Sequence, residues 1–412
     1  MGSEKIKSLL KDQSQELCSI VYFIKQPLTS RDRNRFGIDF FLNRGHKIFV
    51  IDLTRILHPE TPSQEFVEIE DKLKIFEILQ WNQLELYKSI ISEAELAFFL
   101  IQSYGLSRAT YRPLRFLSKL KIPYVIFSPS KHPGIQLDSI GVEAFQKVKD
   151  LLLRISSINI CDSIISRLSS NWLGIRSADY VVLQSSRAGF FNKLVGDGTI
   201  YIENHCLDYE IFLREKDRVS RVLNQAVFID QYMPYHRDFM NIDHSQPMDA
   251  DLYYSTMRAF FDRIELELGL KVVIAAHPRT DCYEHQKGFG NRDVRYGETA
   301  HLISKSKLVL GHNSTAISFA VMYRKPVMLL VTMPLYHRQI YEKHFYHAYA
   351  NELGTPLQFI DEPETVSLSD PFSIDEKKYD QYISRFIKCP NSPSLPFWEI
   401  VTKAIPVLSS AK

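Results

Sequence analysis

Two short segments in the second half of the chain combine residue types that could bind a phosphate group. In IAAHPRTD, residues 274–281, an apolar run stops at His277, Pro278 and Arg279. A histidine at a strand end can donate to a phosphate or protonate it as it leaves, and an arginine can bind it through two parallel hydrogen bonds. The structural alternatives are a histidine that caps the next helix and a solvated loop arginine.

The second segment is KLVLGHNSTAISFAVMYRKP, residues 307–326, in which an apolar run ends in His312, Asn313, Ser314 and Thr315 before a helix-like stretch. Such a helix start would present free N–H groups, a positive dipole end and two hydroxyls to a phosphate. Serine and threonine at this place are also common helix caps. Because both segments follow strands, the sequence predicts an anion site at the carboxyl ends of a parallel sheet.

Candidate acid–base groups follow the first strand of each half of the chain. Asp230 ends an apolar run in the second half, and Asp32 lies in SRDRNRFG in the first. Either carboxylate could take a proton from an acceptor hydroxyl. Arg31, Arg33 and Arg35 surround Asp32 and could bind an anionic acceptor. The alternatives are an acid that balances a helix dipole and a solvated, charged helix face.

The elements that must position these residues alternate between strand-like and helix-like patterns. The predicted strands are 20–24, 47–51, 96–101, 123–127 and 180–183, followed by 226–230, 271–275, 307–310, 326–331 and 358–360. A polar helix is predicted from 30 to 44, with Gly37 allowing close packing and Gly45 ending it. This rhythm is typical of doubly wound parallel sheets.

A charged segment at 207–224 separates the two series of strands. We predict an acceptor-binding domain at 1–215, a nucleotide-sugar-binding domain at 216–375 and a helical segment at 376–412. Phe397, Trp398 and Ile400 in the last segment need a surface to cover. The predicted α/β fold is therefore GT-B: two Rossmann-like domains facing each other across a cleft, with a C-terminal helix that packs back over their junction.

Composition indicates an ordinary globular protein of two domains. The chain has 412 residues, 45% hydrophobic residues and a net charge of +2, which gives no reason to expect a nucleic-acid partner. Its five cysteines are scattered, which favours reduced thiols in the cytoplasm. No run approaches 18 apolar residues. We expect a cytoplasmic protein that could contact the inner face of the cytoplasmic membrane peripherally.

A metal site is not expected. Glu203, His205 and Asp208 lie close together in YIENHCLDYE, but no further histidine or aspartate stands at a complementary spacing. The chain also has no isolated D-x-D between apolar strands of the kind that holds Mg²⁺ on a nucleotide sugar. A leaving phosphate would then be stabilised by a helix dipole, histidine and arginine, with no cofactor.

The chain resembles the GT-B glycosyltransferases of bacterial surface-carbohydrate biosynthesis, in particular the sialyltransferase-like and Kdo-transferase-like enzymes. The resemblance rests on FID at 228–230, HPR at 277–279, and NSTA at 313–316 followed by KP. It implies inverting, metal-independent transfer of a nonulosonic acid or Kdo from a CMP-activated donor to a glycan or lipid-linked acceptor. The HP histidine of those families assists the leaving phosphate, which implies that role for His277. Their acidic DDG-like motif is Asp-Gln-Tyr here, beginning at Asp230.

Two other functions fit the same elements. UDP-sugar transfer, or polyol-phosphate transfer from a CDP donor, keeps the fold and changes the donor. A GT-B module without catalytic activity could instead bind a glycan or a partner enzyme within an assembly.

Overall fold

The computed structural model describes residues 18–59, 72–100, 106–128, 131–134, 165, 167–188, 190, 192–218, 221–235, 249–277, 287–338 and 340–409. Pro278 and Arg279, two of the predicted phosphate-binding residues, lie outside these ranges. No helix of the described part is both long and apolar enough to cross a membrane.

The first sheet has seven strands in the order β3-β2-β1-β4-β5-β6-β7, and every pairing is parallel. Its strands are β1 (Ser19–Ile24), β2 (Lys47–Asp52), β3 (Leu73–Glu77), β4 (Leu96–Phe99), β5 (Tyr124–Phe127), β6 (Tyr180–Leu183) and β7 (Ile200–Glu203). The central strands are buried on both faces, which is why they read as continuous apolar runs. The first six follow the order of a Rossmann domain, whose direction reverses between β1 and β4.

The second sheet has six strands in the order β10-β9-β8-β11-β12-β13, again all parallel. Its strands are β8 (Gln225–Ile229), β9 (Lys271–Ala276), β10 (Asp293–Tyr296), β11 (Leu308–Gly311), β12 (Val327–Val331) and β13 (Leu357–Phe359). This is the Rossmann order a second time, with its reversal between β8 and β11. The predicted GT-B fold of two Rossmann-like domains is therefore confirmed.

Helices of the described residues cover these sheets and connect the strands. The α-helices are α1 (Ser30–Arg35), α2 (Ile38–Asn43), α3 (Thr54–Leu57), α4 (Gln83–Leu86), α5 (Lys88–Ile91), α6 (Arg108–Leu120), α7 (Leu207–Glu215), α8 (Ala250–Leu268), α9 (Thr299–Lys305), α10 (Ile317–Met322), α11 (Met333–Arg338), α12 (Ile340–Leu353), α13 (Glu376–Tyr382), α14 (Phe397–Ala404) and α15 (Pro406–Ser409). Short 3₁₀ helices lie at Lys216–Arg218, Met233–Tyr235 and Pro363–Thr365, and a short π-helix lies at Ile383–Ile387.

The single helix predicted for residues 30–44 is two helices, α1 and α2. Gly37 separates them with a φ of 71°, a left-handed conformation that favours glycine. A Cβ atom at Gly37 would overlap the indole ring of Trp398. The left-handed backbone and the close approach of this ring therefore both require glycine at the break.

The C-terminal helix α14 packs on the first domain, as the sequence predicted. Phe397, Trp398 and Ile400 are buried in the core that covers one face of the first sheet. Helix α7 belongs to the predicted first domain, yet Tyr209 and Phe212 on it pack against the core of the second sheet. The chain thus crosses between the domains before α7 and returns to the first domain at α14.

Candidate active site

A cavity of about 780 Å³ lies between the two domains. Part of its wall consists of segments that follow the carboxyl ends of strands in both sheets, where open α/β folds bind ligands, and the C-terminal helical segments supply the rest. We call it the interdomain cleft, and its lining residues are Ser30, Arg31, Asn34, Arg35, Lys131, His132, Cys206, Leu207, Asp208, Glu210, Ile211, Arg214, Thr315, Ser318, Tyr382, Phe386, Ile387, Phe397 and Trp398.

Helix α1 forms the wall on the side of the first domain. It places Arg31 and Arg35, four residues apart and hence on one helix face, along the cleft. Arg33 points elsewhere, since its guanidinium bonds Asp39 at 2.6 and 2.8 Å. Of the three arginines predicted to bind the acceptor, the structure brings two into the cleft.

Asp32 closes the start of this helix. Its carboxylate accepts hydrogen bonds from the backbone N and the hydroxyl of Thr29 at 3.3 and 2.6 Å, while the Thr29 hydroxyl accepts from the Asp32 backbone N–H. This reciprocal pair is a capping box. The position fits the alternative stated for Asp32, an acid that stabilises the helix start, better than a proton acceptor.

The two cleft arginines are close enough to influence each other electrostatically. The pKa of the Arg35 guanidinium is lowered because the group is removed from water and lies near the Arg31 charge. Asp32 and Asp208 act in the opposite direction. An incoming anion would relieve this repulsion between like charges. The pair is therefore suited to binding a phosphate or carboxylate group.

Asp208, at the start of α7, lies in the same cleft and interacts electrostatically with both arginines. Its half-buried carboxylate accepts a hydrogen bond of 2.7 Å from the hydroxyl of Ser318. Loss of solvation raises the pKa of the Asp208 carboxyl, although the Ser318 hydrogen bond, Arg35 and Arg31 act in the opposite direction. A carboxyl group whose pKa is raised in a cleft is a candidate acid–base group.

The helix start that the sequence predicts to bind phosphate already has hydrogen-bond acceptors for its first N–H groups. Helix α10 begins at Ile317, and the N–H groups of Ala316, Ile317 and Ser318 are satisfied by oxygens of Ser314 and Thr315. Those three N–H groups are therefore not available to a ligand in this conformation. Thr315 is exposed and lines the cleft, whereas the Ser314 hydroxyl is buried as the acceptor for Ala316. The half-buried Asn313 precedes them.

His277 and Asp230 are adjacent at the carboxyl ends of β9 and β8. The carboxylate of Asp230 is buried and accepts hydrogen bonds from the backbone N–H of His277 at 3.3 Å and of Tyr232 at 2.9 Å. It thereby fixes the first residues of two loops, including Tyr232, which has a φ of 56°. His277 itself is half-buried at the strand end.

His312 lies inside the core of the second domain. It is fully buried, with Nδ1 2.7 Å from the carbonyl oxygen of Leu330 and Nε2 3.1 Å from the hydroxyl of Tyr253. A carbonyl can only accept, so Nδ1 donates and Nε2 accepts. Burial lowers the pKa of His312 to about 4, which keeps it neutral. Both ring nitrogens of His312 are hydrogen-bonded within the protein. His312 therefore has no ring nitrogen for the nucleotide contact that the sequence predicts, and it fixes the end of β11 instead.

Glu203 and His205 bind the segment at residues 391–395, which leads back to the first domain. Glu203 accepts from the backbone N of Asn391 at 3.1 Å, and Nε2 of the buried His205 is 3.0 Å from the carbonyl oxygen of Leu395. Among the described residues, no three His, Cys, Asp or Glu side chains come together as a metal site would require.

Sequence reasoning missed the contribution of Asp208 and Ser318 to the cleft. Among the sequence predictions, Asp208 appears only as a possible metal ligand, and Ser318 has no role of its own. Nothing in their spacing, 110 residues apart, marks them as partners. The only local signal was an acid directly at a helix start, which usually balances the dipole.

No protein-family model matches the chain, and no curated protein sequence does. Solved structures with a similar backbone include the wall teichoic acid polymerase TagF, at 13% identity and a TM-score of 0.44, with 96% of this chain and 91% of that chain covered. They also include MurG of Acinetobacter baumannii, at 8% identity and a TM-score of 0.41, with 94% of each chain covered. The UDP-GlcNAc 2-epimerase of Methanocaldococcus jannaschii has 12% identity and a TM-score of 0.41, with coverage of 94% and 99%. Each is a protein to which this chain is similar in backbone.

Proposed function

We propose that the chain is an inverting glycosyltransferase that moves a sugar, a nonulosonic acid or Kdo, from a CMP-activated donor to a glycan or lipid-linked acceptor. The observation that supports it most is the interdomain cleft, in which Arg31 and Arg35 lie opposite a carboxyl group of raised pKa at Asp208. A cleft with a cationic wall and a poised carboxyl group can bind an anionic donor and take up a proton beside it.

In this proposal the donor phosphate binds at the Arg31 and Arg35 wall, with the Thr315 hydroxyl as a further donor. Two guanidinium groups neutralise the charge that develops on a leaving phosphate, a role that a metal ion fills in other sites. We keep the predicted role of His277 in donating a proton or a hydrogen bond to the leaving phosphate, although His277 at the end of β9 is not one of the residues that line the cleft. This assignment keeps the predicted donor histidine and moves the main phosphate contacts from a helix start to side chains. It also differs from the sequence prediction for Arg31 and Arg35, which was acceptor binding.

We assign proton acceptance to Asp208 rather than to Asp230 or Asp32. The carboxylates of Asp230 and Asp32 both hold backbone N–H groups at loop and helix starts. The Asp208 carboxylate takes the proton of the acceptor hydroxyl, and that oxygen attacks the anomeric carbon. The bond from that carbon to the donor phosphate breaks, and its electron pair stays on the phosphate.

A diphosphate donor is the second candidate, because the cleft has more cations than one phosphate requires. Lys131 and Arg214 line it together with the two arginines of α1. A UDP-sugar or a CDP-linked polyol phosphate would use all four charges. Comparison of CMP, UDP and CDP as ligands decides between these donors.

The test of the donor site is nucleotide binding by a variant without the α1 cations. The Arg31→Gln/Arg35→Gln double variant should bind the preferred nucleotide at least roughly 10-fold more weakly, since one lost hydrogen bond to a charged group is worth about 1.5–3 kcal/mol. Binding is measured by titration calorimetry and by the rise of the melting temperature with CMP, UDP or CDP. Titrations are run in EDTA, which should not weaken binding if the site is metal-independent.

The matched control is Arg33→Gln, which removes a charge from the same helix outside the cleft. It should retain wild-type nucleotide affinity, because Arg33 pairs with Asp39. Equal affinity in the double variant and the wild type would refute the assignment of the cleft. Binding that EDTA abolishes and Mg²⁺ restores would refute metal independence.

His277→Ala tests assistance to the leaving group. Turnover should fall roughly 100-fold, the lower end of the effect of a positioned proton donor. The backbone N–H that bonds Asp230 remains in this variant, so the melting temperature should not change. His301→Ala, which alters a half-buried histidine of α9, serves as the control. Near-wild-type turnover of His277→Ala in a transfer assay would remove His277 from the mechanism.

A further inference from the structure

Helix α6 of the first domain carries an unusual concentration of positive charge. Residues 107–121 contain no acid and five cations, Arg108, Arg112, Arg115, Lys119 and Lys121. The spacing of residues 108, 112, 115 and 119 is i, i+4, i+7 and i+11, which places them along one side of a helix. The opposite side is apolar and buried, with Leu114 and Leu117 in the core of the domain. Arg112, Arg115 and Lys119, which are exposed, therefore form one outward stripe on α6.

The stripe faces solvent. Arg112, Arg115, Lys119 and Lys121 are exposed, and none forms an ion pair with an acidic side chain in the described part of the chain. Aromatic groups hold two of them in place: the Arg112 guanidinium lies 5.4 Å from the ring centre of Trp81, and Arg115 donates to the Tyr111 hydroxyl at 2.8 Å. Their charge is thus presented outward without a described counter-charge.

An exposed indole ring lies in a turn that is hydrogen-bonded to α6. Trp172 is 87% exposed, the highest value among the large exposed hydrophobic side chains of the described residues. It occupies a turn that Gly174 completes with a φ of 66°. Residue Leu173 of the turn points into the core, and the turn packs on α6, where Ser118 accepts from the Arg176 backbone N–H at 2.9 Å. The fold therefore holds the exposed Trp172 in a turn whose Gly174 lies beside the Arg115 side chain.

We propose that the α6 stripe and Trp172 form a docking surface for an anionic lipid bilayer. The cations match the negative surface potential of such a bilayer, and tryptophan prefers the boundary between headgroups and acyl chains. A nucleic acid would also use the cations, but a single outward indole is better suited to insertion between lipids than to stacking a series of bases. The surface is built from residues outside the interdomain cleft, so it is independent of the proposed reaction.

The test is sedimentation of the full chain with vesicles. Vesicles of phosphatidylglycerol and phosphatidylcholine should bring the protein down at low salt, and vesicles of phosphatidylcholine alone should not. The Arg112→Gln/Lys119→Gln variant should partition roughly 30-fold less, from about 1 kcal/mol for each cation near the surface. The matched control is Lys47→Gln/Lys74→Gln, which removes the same charge from exposed positions on β2 and β3 and should sediment like the wild type.

Trp172 is tested separately by its fluorescence. Anionic vesicles should shift tryptophan emission to shorter wavelength in the wild type, and this shift should be absent in Trp172→Phe, which retains Trp81 and Trp398. Equal sedimentation of the α6 variant and its control would overturn the proposal. So would retention on duplex DNA equal to retention on anionic vesicles, with no emission shift, because that result indicates a site for any polyanion.

Discussion

Asp208→Asn should lower turnover by roughly 100- to 10,000-fold, the range found for a positioned general base. The substitution keeps the size of the side chain and its hydrogen bond from Ser318 but removes its ability to take a proton. Nucleotide affinity and melting temperature should change little, because the arginine wall of the cleft remains. Initial rates of sugar transfer with the nucleotide identified by titration measure the effect.

The pH profile gives a second measure of the same role. The pKa of Asp208 is raised by loss of solvation, and the carboxylate must be deprotonated to act. The rate, as kcat/KM, should therefore rise with pH through this raised pKa. Ser318→Ala removes a hydrogen bond that lowers the pKa, so it should move the acidic limb to higher pH.

Glu210→Gln is the control within the same cleft. Glu210 accepts the backbone N–H of Phe397 at 2.8 Å, a bond that the amide oxygen of glutamine can also accept. We expect turnover within a few-fold of the wild type. If Glu210→Gln lost as much activity as Asp208→Asn, or if Asp208→Asn stayed active with an unchanged pH profile, the proton acceptor would lie elsewhere.

Trp398→Ala should destabilise the first domain by about 3–5 kcal/mol, the usual cost of removing a large buried aromatic side chain. The Trp398 ring packs against Phe41, Phe98 and Phe127 at centroid distances of 5.5–6.0 Å. The melting temperature of this domain should fall by roughly 6–20 °C, as followed by calorimetry.

The same substitution should also weaken the cleft. The Trp398 indole N–H donates to the backbone oxygen of Arg35 at 3.3 Å, and the ring fills the space above Gly37. Without it, the end of α1 loses a support, and nucleotide affinity per folded molecule should decrease. Trp172→Ala is the control, because a largely exposed tryptophan contributes within about 0.5 kcal/mol. Similar melting temperatures for the two variants would contradict this account.

The sequence predicted most of the strands because the central strands are buried on both faces. The strands that it missed, β3, β7 and β10, each lie at an edge of a sheet. Edge strands expose one side to solvent and include polar residues such as Lys74, Glu203 and Arg295. Their apolar signal is interrupted, so a search for continuous apolar runs does not find them.

Prediction of the site was less complete, since it depends on contacts between distant residues. The sequence placed His277 and Asp230 at strand ends and Arg31 and Arg35 after β1, and the structure has them there. It could not show that Arg33 would pair with Asp39, or that His312 would turn into the core. The pKa of Asp208 is raised because the folded cleft removes its carboxyl group from water, and no local sequence pattern records that burial.

The contact between Trp398 and Gly37 also has a consequence for how the protein is made. Trp398 follows its partner Arg35 by 363 residues, so the first domain cannot complete its own core until α14 has been synthesised. At about 5–20 residues per second, the ribosome needs roughly 20–70 s to cover that distance. The second domain, whose strands all lie between these residues, can fold during this interval. The domain that is translated first is therefore the one that is finished last, and the apolar face that α14 covers stays uncovered until α14 has been made.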